Sequence, residues 1–279
     1  MGRITKLRKI SWDVSKAVKK IPGIIAIASY GSVAEGHVDK FSDINLIAFC
    51  SRIPTPSSRR KFLEKSYDWI VFDNDTVPKW RSTAQDFFFV RGEHVDITYK
   101  TKRSFDIVAK EIEKDHRVGR DLFKEVMMYV YNTRVLHDPK KVITLIRSKL
   151  PRATPQMLKY FLPDINKISM KGTKQFENLQ HAISERNYLY VDNIVDLNVE
   201  NFIISLYVLN GKHYTSPKWA MKSIRKFKIK PTSTTQRLQE IARLGNSPIY
   251  VKRKINLLQS LVSDLDKLIL KERVFDIVN

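Results

Sequence analysis

The chain has 279 residues, 43% of them apolar, which is enough to bury one large core or two ordinary ones. Its 50 Lys and Arg against 29 Asp and Glu give a formal net charge of +21, which points to a polyanionic partner, chiefly nucleic acid. A single cysteine excludes a disulfide framework, and no apolar run nears the roughly 18 residues of a membrane span, so no membrane partner is expected.

In chain order, Lys6 to Lys20 carries Leu7, Ile10, Val14 and Val18 at helical spacing between lysines, and predicts a basic amphipathic helix ended by Pro22-Gly23. The β-branched run Ile24 to Tyr30 predicts a buried strand that runs into Gly31-Ser32. Further strands are expected at Ile44 to Phe49, Trp69 to Phe72, Phe87 to Val90 and His94 to Tyr99, with a connecting helix over Ser57 to Lys65. Cys50 closes the second of these runs and reads as a small buried hydrophobe in a reducing, cytoplasmic setting. The six histidines never fall at zinc-ligand spacings.

Beyond Tyr99 the period changes. Helical spacing holds from Phe105 through Val130, and again over Val142 to Leu150, Gln175 to Asn187, Val199 to Leu209, Ser216 to Phe227, Gln236 to Leu244 and Val251 to Leu270, with prolines between the windows. The reading is α+β: a mixed-sheet domain over residues 1–104, then an α-helical domain over 105–279.

The stretch that carries chemistry runs from Ser29 to Leu46. A strand ends in Gly31-Ser32, a short helix-compatible segment comes next, and the following strand opens with Asp43-Ile44-Asn45. Strand alternation puts Asp43 and Asn45 on one face, so two oxygen ligands converge there. Glycine lets backbone approach a phosphate closely, and the Ser32 hydroxyl with nearby backbone N–H groups can hold phosphate oxygens. As an isolated pair, Asp43 and Asn45 also fit a plain turn at a strand start.

These residues resemble the signature of the DNA polymerase beta-like nucleotidyltransferase superfamily: Gly-Ser, about ten residues, then two acidic residues separated by an apolar one. Ten residues, Val33 to Ser42, separate Ser32 from Asp43. The resemblance implies a third carboxylate on a later strand, and the matching position is Asp96 in His94-Val95-Asp96-Ile97. Arg134 to Pro139 resembles an element that follows the catalytic domain in small members, and Leu206 to Asn210 with Tyr214 and Lys218-Trp219 resembles the helical domain of the kanamycin and lincosamide branch.

The resemblance implies transfer of a nucleotidyl group from a nucleoside triphosphate to an acceptor hydroxyl, with Mg2+ or Mn2+ as cofactor. Asp43 and Asp96 take the catalytic places, Gly31 and Ser32 the nucleotide-binding ones, and Asp43, Asn45 and Asp96 the metal ligands. Asn45 departs from the pattern, which has Asp or Glu there. An amide oxygen brings no charge, so weaker ion binding is expected, and a degenerate module that binds nucleotide or RNA without turnover is the alternative reading. Antibiotic-modifying members take cationic or neutral acceptors, whereas a +21 chain repels polycations, so RNA or tRNA is the expected acceptor. Lesser candidates are Lys79, Arg81 and Arg91 for the triphosphate, and Trp80, Phe87 and Tyr99 for stacking on a base. A basic group of Lys222, Arg225, Lys226, Lys228 and Lys230, with Lys252, Arg253 and Lys254, is a candidate RNA face.

Overall fold

A computed structural model describes residues 2–64, 67–72, 83–115, 124–150, 172–214 and 217–271. The chain divides into two compact units, Met1–Arg152 and Ala153–Asn279.

In the first unit, helix α1 (Arg3–Val18) buries Leu7, Ile10, Val14 and Val18 as their spacing predicts. Each side chain so buried contributes roughly 1.5–3 kcal/mol. The stripe packs on a single six-stranded sheet built from β1 (Ile24–Tyr30), β2 (Ile44–Cys50), β3 (Asp68–Phe72), β4 (Thr83–Val90), β5 (Glu93–Thr101) and β6 (Arg134–His137), in the order β3-β4-β5-β2-β1-β6. The central β2–β5 pairing is parallel and the other four are antiparallel, so the sheet is mixed. The fold class is therefore α+β, as the sequence leads one to expect.

The inner face of the sheet carries Ile27, Leu46, Ala48, Val95, Ile97 and Tyr99, which meet α1 in one core. Helix α2 (Gly31–Glu35) is one short turn after β1, and α3 (Pro56–Leu63) is capped by Thr55, whose hydroxyl accepts from the Ser58 N–H at 3.2 Å. From α3, Arg59 reaches into the core. Its Nε donates to Asp86 Oδ1 at 3.1 Å, its Nη1 donates to the Pro54 carbonyl at 2.7 Å, and its guanidinium lies 5.2 Å from the Tyr99 ring centre. Asp86 explains why β4 starts at Thr83 when the apolar run starts only at Phe87. The inward-facing position there is a charge paired inside the core, so hydropathy alone hides the strand's first half.

After α4 (Lys102–Asp115), a π-helical turn Met127–Tyr131 leads into β6, which lies antiparallel beside β1. Strand β6 was not expected. Two of its four residues are exposed, so it has the weak pattern of a sheet edge. Asp138, just beyond it, accepts from the Val142 N–H at 2.6 Å and the Ile143 N–H at 3.0 Å, which starts α5 (Val142–Lys149). The Asp138-Pro139 pair thus has a local structural use as a helix cap.

The described residues of the second unit form helices: α6 (Lys174–Ser184), α7 (Tyr188–Leu209), α8 (Ala220–Lys226), α9 (Thr234–Arg243) and α10 (Pro248–Lys271). Residues Asn201 to Leu209 of α7 are buried all round, the mark of a central helix. Tyr207 there meets Tyr214 and Phe227 edge-on, at 5.2 and 4.9 Å between ring centres. Among the described residues, no helix is long and apolar enough to cross a membrane.

Candidate active site

The sheet's outer face carries the expected residues. Tyr30 ends β1 opposite Asn45 of β2, and Asn45 in turn lies beside Asp96 of β5, so these three side chains share one face. Burial alternates accordingly, since Ile44 and Leu46 are fully buried while Asp43, Asn45 and Asp96 are partly exposed. Asn45 Nδ2 donates to Asp43 Oδ1 at 2.8 Å. Asp43, Asn45 and Asp96 are thus brought together from positions up to 53 residues apart.

Gly31 comes directly after Tyr30, with φ +68°, a left-handed conformation open to glycine at little cost. A Cβ at this position would stand 3.5 Å from Asn45 Nδ2, so the turn runs directly past the amide. Ser32 sits in the first turn of α2, and its carbonyl accepts from the Gly36 and His37 N–H groups at 3.0 and 2.9 Å. Ser32 is only 7% exposed, so the turn presents mainly backbone to a ligand.

Asp96 is the electrostatic centre. Burial first, and then the neighbouring Asp43 charge, push its carboxyl up to about 7. Its Oδ1 is buried with no hydrogen-bond partner among the described residues. A carboxyl whose charged form lacks a partner, with an orphaned oxygen and a second carboxylate beside it, fits a hard divalent cation. Asp43, Asp96 and the Asn45 amide supply oxygen donors, with two negative charges in place of three. Asp39 Oδ1 is held within its own loop, accepting from the Phe41 N–H at 3.0 Å and the Ser42 hydroxyl at 2.8 Å. Among the described residues, no group of three or more His, Cys, Asp or Glu could hold a metal ion.

Several neighbours were not among the expected residues. The Tyr30 hydroxyl lies 3.3 Å from Thr98 Oγ1, and Gln85 Nε2 donates to the same oxygen at 3.4 Å. The Tyr129 ring stands edge-on to Tyr30 at 5.0 Å, with 82° between the planes, and burial raises both phenols. Lys100, over the Tyr129 ring, pairs with Glu125. On the outer face of β5, Thr98 and Lys100 are buried, while His94 and Asp96 are half-buried. Thr98 was within reach of the alternation rule, being two residues from Asp96. Tyr129 was not, because only the folded chain returns it to the sheet.

Other candidates separate clearly. Tyr99 lies on the inner face, fully buried against Arg59, and cannot stack on a ligand. Arg91, at φ +53° in the β4–β5 turn, pairs with Asp13 at 3.3 Å. Lys79, Trp80 and Arg81 lie outside the described residues. Lys254 leaves the basic group, because it is buried and donates to Asp192 and Asn246, both at 2.9 Å. Lys222, Arg225, Lys226, Lys228, Lys252 and Arg253 are exposed. Cys50 is buried and pushed up to about 12 by that burial, as expected of a small core residue.

No family model matches the chain, and no curated protein matches it. Among solved structures, a nucleotidyltransferase-like protein from Exiguobacterium sibiricum 255-15 is similar, at 11% identity over 97% of this chain and 79% of that one, with a TM-score of 0.39. A likeness of that size carries no argument about function.

Proposed function

We propose that the chain transfers a nucleotidyl group from a nucleoside triphosphate to an acceptor hydroxyl, using Mg2+ or Mn2+, with RNA as the acceptor. The observation that supports it is the meeting of Asp43, Asn45 and Asp96 on one sheet face beside the Gly31-Ser32 turn. Asp43 and Asp96, with the Asn45 amide, would hold the ion, which supplies charge neutralisation at the phosphates. The Gly31 backbone leaves room for a phosphate, and the narrow exposed edge of Ser32 limits its share to a hydrogen bond. The acceptor oxygen forms a bond to the α-phosphorus while the bond to the bridging oxygen breaks and pyrophosphate leaves with the electron pair. Asp96, whose carboxyl is pushed up by burial and by Asp43 toward the range suited to proton transfer, accepts the hydroxyl proton.

A second reading is favoured by one observation. Asn45 stands where the pattern has a carboxylate, and its amide occupies Asp43 Oδ1, which suits a module that binds nucleotide or RNA without turnover. One experiment separates the two: incubation with each labelled nucleoside triphosphate, Mg2+ or Mn2+ and total RNA. Label in RNA with pyrophosphate release supports transfer. Saturable triphosphate binding with neither product rejects transfer and leaves the binding module.

A further inference from the structure

On β4, Ala84, Asp86, Phe88 and Val90 point into the core, while Gln85, Phe87 and Phe89 point to the outer face that carries Asp96. Phe87 lies directly across from Asp96, and Phe89 directly across from His94. The His94 ring lies nearly parallel to Phe87, with 17° between planes and 6.1 Å between centres, and Phe89 leans on it at 5.3 Å. Phe87 and Phe89 of β4 and His94 of β5 therefore form a shelf of three neighbouring rings beside the carboxylates, with Phe89 tilted 60° to His94. Phe89, its outer member, is 58% exposed although β4 is flanked on both sides by other strands. Neither the ion site nor the phosphate turn makes use of these rings.

Position says which ligand the shelf meets. The Gly31-Ser32 turn comes after β1, three strand spacings from β4, or about 14 Å. Asp96, the group that takes the acceptor proton in the proposed transfer, is one spacing away, about 5 Å. The shelf and the phosphate turn thus flank the carboxylates on opposite sides, which puts the shelf on the acceptor's side. Neighbouring rings, with Phe89 more than half exposed, suit the π-face of a base, and every base has one. The net charge of +21 favours a base that arrives on a polyanion. Resting on the proposed transferase reading, we infer that Phe87, Phe89 and His94 hold the terminal base of a single-stranded nucleic-acid acceptor, so that its 3′ hydroxyl reaches Asp96.

The test is a short single-stranded oligoribonucleotide with 2-aminopurine as its 3′-terminal base, whose fluorescence falls when the base stacks. The wild-type chain should quench it, and should quench a blunt duplex carrying the same base far less. Phe87→Leu with Phe89→Leu keeps apolar bulk but removes two ring faces. It should abolish the quenching and weaken binding about ten-fold, leaving the affinity for a fluorescent ATP analogue unchanged. Phe89→Leu alone, at the exposed position, guards against misfolding and should lose part of the quenching. Undiminished quenching in both variants overturns the inference, as does a parallel loss of ATP-analogue affinity, which would give the shelf to the donor. A concentration-dependent dimer lost in Phe89→Leu, with quenching intact, also overturns it in favour of self-association. No turnover is read, so a chain that quenches the probe yet transfers nothing keeps the shelf and loses the transferase reading.

Discussion

Replacing Asp96 by Asn should make the ion-free protein more stable, by an amount that depends on pH. The carboxyl is pushed from 3.8 to about 7 in the folded protein. Between those values the folded state holds a proton that the unfolded chain has released, so stability falls as pH rises through this window. Below about pH 4 both states are protonated and the cost is nil; above about pH 7 it is complete. At 1.36 kcal/mol for each pKa unit the ceiling is about 4 kcal/mol, and solvent reaching a half-buried group reduces it to about 2 kcal/mol. For a unit of this size that is a rise in Tm of roughly 4–8 °C. The assay is thermal unfolding of both proteins from acid to mildly alkaline pH in a chelator, repeated with saturating Mg2+. The gap should open as pH rises, and Mg2+ should narrow it by stabilising the wild-type protein alone. A constant offset across the pH series would show that Asp96 carries no such penalty and would remove the electrostatic case for an ion there.

Asp43→Ala should abolish nucleotide transfer while leaving the circular dichroism spectrum and Tm near wild type, since the side chain is partly exposed and the change removes a hydrogen bond from Asn45 and not core packing. Asn45→Asp should tighten Mg2+ binding measured calorimetrically with triphosphate present; unchanged or weaker binding would place Asn45 outside the ion site. Asp86→Ala strands the buried Arg59 charge and should cost about 3–5 kcal/mol in urea unfolding. RNA affinity should fall steeply with salt in filter binding, and reversing the exposed Lys226, Lys228 and Lys252 should flatten that slope by about two if all three meet phosphates. An unchanged slope would make them a solvated face.

Helix α1 and the central strands were legible because each shows one clean period: Leu7, Ile10, Val14 and Val18 in one case, the β-branched run from Ile24 in the other. The meeting of Asp43, Asn45 and Asp96 was legible because Asp43 and Asn45 obey strand alternation and the resemblance supplied Asp96. What stayed hidden depends on partners far away in sequence. The first half of β4 hides because Asp86 is neutralised by Arg59, 27 residues earlier. Helix α7 extends 11 residues upstream of its apolar window at Val199, through Asp192 and Asn193, because those polar groups find water or partners such as Lys254. Tyr129 joins the site only through the return of the chain that also delivers β6. The change of period after Tyr99 marks the start of α4, yet β6 still returns to the sheet at Arg134–His137, and the compact units divide at 152/153.

That return has a consequence for how the chain is made. Ile27 of β1 pairs with His137 of β6, so one side of a central strand stays unpaired until 110 further residues have been synthesised. During that interval β1 offers a row of free N–H and C=O groups along an apolar segment, the kind of edge that recruits other chains. Four residues, Arg134–His137, close it, and the Asp138 cap on the next helix fixes where they end. A fragment cut at residue 104 keeps every candidate ion ligand yet leaves this edge open for good, and should associate through it; a fragment that keeps residues 105–152 should stay monomeric.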